Sequence, residues 1–143
     1  MAIRVRVRIR AVFTGSSVEA VALANSGYET EVPEVAIPRA LAERLGLRLQ
    51  EAARDFYMTA GGPIEVLRLP EAVEIAVLTE DREEGPVLAD AIVMEVDEVL
   101  LGDKVLGALK LDLVDPARGL WRFRDEPPDV LRRSAEQERL NSP

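Results

Sequence analysis

The chain has 143 residues, 48% hydrophobic and 31% charged, with a formal net charge of −8. It contains no Cys and no His, which excludes thiol catalysis, disulfides, Ser-His triads and the usual zinc sites. No stretch reaches the roughly 18 apolar residues that span a bilayer, and the acidic balance argues against nucleic acid as the main partner.

Acid–base chemistry would have to come from carboxylates, Lys or Tyr. No cofactor and no metal is expected. Arg outnumbers Lys sixteen to two, and there are only two Asn and two Gln. Few thermolabile amides with many Glu and Arg suggest a thermophilic protein, and a biased base composition gives a similar pattern.

Ile3 to Arg10 alternates apolar residues with Arg, which predicts a strand with one buried face and one Arg face. The same alternation leaves no apolar core for a signal peptide, so a cytoplasmic location is expected. Arg4, Arg6, Arg8 and Arg10 read as a solvated face paired with glutamates such as Glu71 and Glu74, rather than as an anion stripe. Thr14-Gly15-Ser16-Ser17 is a turn, and Val18 to Ala24 returns as the second strand of a hairpin.

Pro38 to Leu45 predicts a short helix, with Pro38 in the first turn and Gly46 closing the end in the left-handed conformation. Phe56 to Leu69 reads as a hairpin around Ala60-Gly61-Gly62-Pro63. Val73 to Leu78 is a strand and Glu80 to Pro86 an acidic loop. Val87 to Val96 is a largely apolar, buried strand. Asp81, Glu83 and Glu84 lack the ligand spacing of a calcium loop and read as a solvated charge run.

Asp103 to Leu109 predicts a second short helix, with Asp103 as its cap. Leu111 to Val114 and Gly119 to Phe123 flank the turn Asp115-Pro116-Ala117-Arg118. Pro127-Pro128 then breaks structure. The division is a domain over 1–124 and a polar tail over 125–143, as a detached helix or a disordered segment. Many short strands with two short helices indicate a mainly β barrel or sandwich.

Asn25-Ser26-Gly27 stands at the end of an apolar strand, followed by Tyr28. Taken alone, Asn25 is also a residue that simply holds a turn. Two further segments accompany it in order. Val32-Pro33-Glu34-Val35-Ala36-Ile37-Pro38 leads into Ala42-Glu43-Arg44-Leu45-Gly46-Leu47. Val99-Leu100-Leu101-Gly102-Asp103 leads through Leu106-Gly107-Ala108-Leu109 to Leu113-Val114-Asp115-Pro116. Together they resemble the retropepsin-like aspartic peptidases, over most of residues 3 to 124. That family has Asp-Thr-Gly or Asp-Ser-Gly where this chain has Asn25-Ser26-Gly27.

The resemblance implies a closed β-barrel with one or two short helices and a two-fold homodimer, each chain supplying half of a site for an extended peptide. It implies catalytic positions at Asn25, Ser26 and Gly27, with Ser26 bonding across the two-fold axis. It also implies a flap around Gly61 and Gly62, with Tyr28 against substrate and Tyr57 or Met58 along the cleft. In the family two carboxylates share one proton around a water. Asn25 neither gains nor loses a proton near neutral pH. Losing positioned acid–base groups removes about 10²–10⁴-fold each.

The sequence therefore reads as a peptidase whose Asp is replaced, or as a pseudo-enzyme that binds peptide without cutting it. A non-catalytic assembly module that only dimerises is the alternative.

Overall fold

The computed structural model describes residues 2–138. Its first strand, β1 (Arg4–Ala11), buries Val5, Val7, Ile9 and Ala11 and turns its arginines outward, as strict alternation requires. It pairs antiparallel with β2 (Ser17–Ala24). The chain then passes through β3 (Glu34–Ile37) into helix α1 (Arg39–Arg44). Pro38 sits at the N-cap, one position before the expected first turn, and Gly46 takes φ 71° as the helix ends.

A single 3-10 turn at Leu49–Glu51 leads into β4 (Ala53–Thr59). The next strand, β5 (Gly62–Leu78), joins what the sequence divides into a hairpin arm and a separate strand. It bends where Pro70 has no N–H to donate and Glu71 takes φ 49°, and its register with its neighbour shifts between Leu69 and Val73. Its second half stays in the barrel. In its first half Leu67 to Leu69 still pair with β6, while Gly62 to Val66, paired with β4, form a projecting hairpin.

Strand β6 (Glu83–Val93) begins earlier than expected. The acidic stretch over 80–86 is thus partly strand, not a loop throughout. The charge run is neutralised side chain by side chain: Asp81 by Arg132, Glu83 by Arg8, and Glu84 by Arg82. No group of carboxylates among the described residues could hold a metal ion. The strand also stops short of the expected Val96. Val96 N–H bonds back to Met94 O at 3.0 Å, turning the chain.

Strand β7 (Val99–Leu101) and helix α2 (Asp103–Ala108) follow. Gly102, not Asp103, occupies the N-cap. The Asp103 carboxylate instead accepts the Thr30 N–H at 3.0 Å. Strands β8 (Leu111–Asp115), β9 (Leu120–Phe123) and β10 (Arg132–Arg133) form a separate three-stranded sheet.

The larger sheet runs β1-β2-β7-β3-β6-β5 and closes through a β1–β5 pairing into a six-stranded barrel, with β4 as an outer edge. The fold is mainly β with two short helices. Parallel pairs β2–β7 and β3–β6 flank an antiparallel β3–β7 pair.

The core fills the barrel, from Ile9, Ile37 and Leu41 to Leu109 and Phe123. The arginine face is matched by glutamates. Arg4 pairs with Glu98, Arg8 with Glu83 and Arg10 with Glu74, whereas Glu71 is spent on the bend of β5.

Residues 126–138 are neither a helix nor detached. β10 pairs with β9, and Ser134 N–H bonds Gly119 O at 2.7 Å. Ala135 N–H bonds Arg4 O at 2.8 Å. Arg132 grips Asp81 and Glu126 while lying over the Phe123 ring, 5.1 Å from its centroid. A polar composition concealed this, because the attachment is made by backbone and charge rather than by apolar residues. The rest of the expected tail, 139–143, lies outside the described residues.

Candidate functional site

The turn at Asn25 follows directly from β2. Asn25 N–H bonds Leu101 O on β7 at 3.1 Å, and Asn25 O accepts the Tyr28 N–H at 3.1 Å. The Asn25 side chain closes the turn itself, its Oδ1 accepting the Gly27 N–H at 3.1 Å. Gly27 is not at positive φ, and a Cβ there would meet Asn25 Oδ1 at 3.3 Å. Its smallness serves the side-chain turn rather than a left-handed backbone.

Past the turn, Asp103 N–H bonds Tyr28 O at 2.9 Å. A Cβ on Gly102 would lie 3.1 Å from that same oxygen, so the close crossing needs a glycine there.

Asn25, Gly27 and Tyr28 line a groove of about 630 Å³ whose opposite wall is the β4–β5 hairpin. Tyr57 and Met58 of β4 also line it. Ser26 is exposed beside the groove, outside its lining. Gly61 and Gly62 form the hairpin tip, also outside the lining, with Gly62 at φ 108°. Thr59 Oγ1 staples that tip by accepting the Gly61 N–H at 3.2 Å and donating to Gly62 O at 2.7 Å.

Beneath the groove lies a charged network that the sequence reading missed. Glu34, the first residue of β3, is 4% exposed. Its Oε1 accepts the Tyr28 hydroxyl at 3.0 Å and the Tyr57 hydroxyl at 2.6 Å, and its Oε2 accepts Arg68 Nη1 at 2.7 Å. The same guanidinium donates to Asp90 at 3.0 Å, to Asp55 at 3.4 Å and to the Tyr57 hydroxyl oxygen. Asp90 Oδ1 accepts the Glu71 N–H at 2.9 Å, tying the network to the bend of β5.

Burial, and then the Glu34 charge, push the Tyr28 hydroxyl far above its usual pKa. Tyr57 is raised by burial and its bond to Glu34. Burial works to lower Arg68, but the bond and charge of Glu34 outweigh it and the net shift is upward. The two tyrosines therefore remain protonated donors near neutral pH, and Arg68 remains charged. Ala36, Val66 and Ile92 are buried beside the network, with Ile64, Met94 and Leu100 packed on them.

A signal for this network was present in the sequence. Glu34, Arg68 and Asp90 each stand between two apolar residues of the sequence. Such residues are rarely buried unless paired. Local patterning does not say with what.

No protein-family model matches the chain, and no curated protein matches it.

Proposed function

We propose that this chain is a retropepsin-like protein that works as a symmetric homodimer, holding an extended peptide between its Asn25 turns and the β4–β5 hairpins without hydrolysing it. The observation that carries this reading is the Asn25 turn. It leaves β2 against β7 and faces a groove roofed by a hairpin, with its amide oxygen spent on Gly27 N–H. A dimer would bring two amides together where general acid–base chemistry needs two carboxylates sharing a proton. Glu34 is no substitute, since both its oxygens are engaged by Tyr28, Tyr57 and Arg68.

The test is Asn25→Asp. Two Asp side chains across the two-fold would share one proton and activate water, so denatured protein should be cut with a maximum at acidic pH. The unsubstituted protein should cut nothing. The substituted dimer should also be weaker at neutral pH, because two carboxylates then face each other. If sedimentation shows Asn25→Asp to be a dimer and it cleaves nothing between about pH 3 and 8, a range that spans carboxylate-dyad behaviour, the reading fails.

A further inference from the structure

We propose that the ligand of this groove is a cationic, extended peptide with an apolar anchor side chain. This rests on the peptide-holding function proposed above and adds the chemistry of what is held.

The groove beside Asn25 does not end at its far wall. A second groove of about 700 Å³ adjoins it, and Met94 and Leu100 line both. Met94 and Leu100 make the shared surface apolar, Ile64 extends it within the first groove, and the hairpin wall presents Phe56 and Met58 at 65% and 80% exposed. Side chains this exposed and this apolar, set along a groove, mark a binding surface.

The rim is acidic. Seven carboxylate residues and two arginines line the pair of grooves, and of the seven Glu34 is paired with Arg68, Glu98 with Arg4 and Glu65 with Arg54. Of the two arginines, Arg68 is consumed by Glu34, Asp90 and Asp55. Glu29, Glu31 and Glu95 are exposed along the rim. A field of one sign along a groove selects ligands of the other sign, and it repels nucleic acid.

Two observations single out an extended peptide. Strand β4 is an edge, paired only with β5 among the described residues, so its outer side can add a strand. An added strand places alternate side chains on opposite sides, one set toward the apolar floor and the other toward the rim. A second copy of this chain could offer its Arg-rich β1 only by opening its barrel, since β1 is already paired on both edges, with β2 and with β5. Arg4, Arg8 and Arg10 of β1 are already matched by Glu98, Glu83 and Glu74.

The experiment uses fluorescence anisotropy with three labelled peptides of equal length, in which valine alternates with lysine, serine or glutamate. The lysine peptide should bind about tenfold tighter than the serine peptide, and the advantage should shrink in high salt. The glutamate peptide should bind weakest. In the triple variant Glu29→Gln, Glu31→Gln, Glu95→Gln the lysine peptide should fall to the serine level, with the melting temperature unchanged. In Phe56→Ser with Met58→Ser, all three peptides should weaken together.

Equal binding of the lysine and serine peptides, or a lysine preference that survives the triple variant, overturns the cationic assignment and leaves the peptide reading standing. Undiminished binding in the Phe56/Met58 variant overturns the anchor. Failure of every peptide to bind, including when the groove proves to be covered by a second copy, overturns both readings.

Discussion

The Tyr57 hydroxyl donates to Glu34 Oε1 at 2.6 Å, so the hairpin that walls the groove is bolted to the strand beneath it. Tyr28 donates to the same oxygen at 3.0 Å from the other side of the groove. One carboxylate atom thus sets the spacing between the Asn25 turn and the hairpin.

Tyr57→Phe should free the hairpin without unfolding the barrel. Loss of a hydrogen bond to a charged acceptor costs about 1.5–3 kcal/mol, and the lower end applies to this half-buried side chain. Hydrogen exchange should rise over residues 53–69 and stay unchanged in β1 and β2. Glu34→Gln should be worse, about 3 kcal/mol by urea denaturation, because it leaves the Arg68 charge short of its main partner. Uniform protection in Tyr57→Phe would show that hairpin packing, not this bond, holds the wall.

Two glycines should respond oppositely to alanine. Gly85 takes φ 114°, and a Cβ there would stand 2.7 Å from Ile75 O, a backbone atom of the paired strand. Gly85→Ala should lose about 2–4 kcal/mol through strain and displacement of β5. Gly107 lies in α2 with open space around a Cβ, so Gly107→Ala should gain about 0.5–1 kcal/mol. Thermal melts of both variants provide the check, and a tolerated Gly85→Ala would mean that β5 and β6 can part.

Truncation after Glu126 should destabilise the barrel by about 2–4 kcal/mol. It uncovers Trp121, now 3% exposed, and removes one of the two strand partners of β9. It also orphans Arg4 N–H, which bonds Ser134 Oγ at 2.8 Å. Trp121 is the only tryptophan in the chain, so its emission should shift to the red. An unchanged melting temperature would show that residues past Glu126 add nothing.

Acid should release the same segment before the barrel opens. Its bond to Arg132 holds the Asp81 carboxyl down at about 2, and Arg132 also lowers Glu126. Carboxyls with depressed folded values contribute stability above their unfolded pKa of about 4 and lose it as pH falls through the folded value. Trp121 fluorescence should therefore change between about pH 4 and pH 2, and Arg132→Gln should abolish that step. A Trp121 signal flat to pH 2 would rule out the arginine clamp.

Much of the fold was legible because it is local. The alternation of Val5, Val7, Ile9 and Ala11 with arginines fixes which face of β1 is inside, and only short-range sterics are needed to read it. Gly46 after Leu45 marks a helix end for the same reason. Asn25 could be placed just beyond an apolar strand, and the structure sets it at the end of β2 beside the groove.

Tertiary structure alone decided what the isolated charges were for. Glu34 is 23 residues from Tyr57 and 34 from Arg68, and Arg68 is 22 from Asp90. Those separations carry no periodicity. They become contacts only when the barrel closes and buried charge must find its counter-charge in a low-dielectric site. The same holds for residues 126–135, whose polar composition resembles a free tail. Arg132 binds only because closure brings Asp81 and the faces of Trp121 and Phe123 to one place. Local pattern determines which side of a strand is wet or dry. Which distant charges meet is determined by chain path, and it is the pairing of β6 with both β5 and β3, Ile92 lying opposite Arg68 on one side and Ala36 on the other, that brings Arg68 to Glu34.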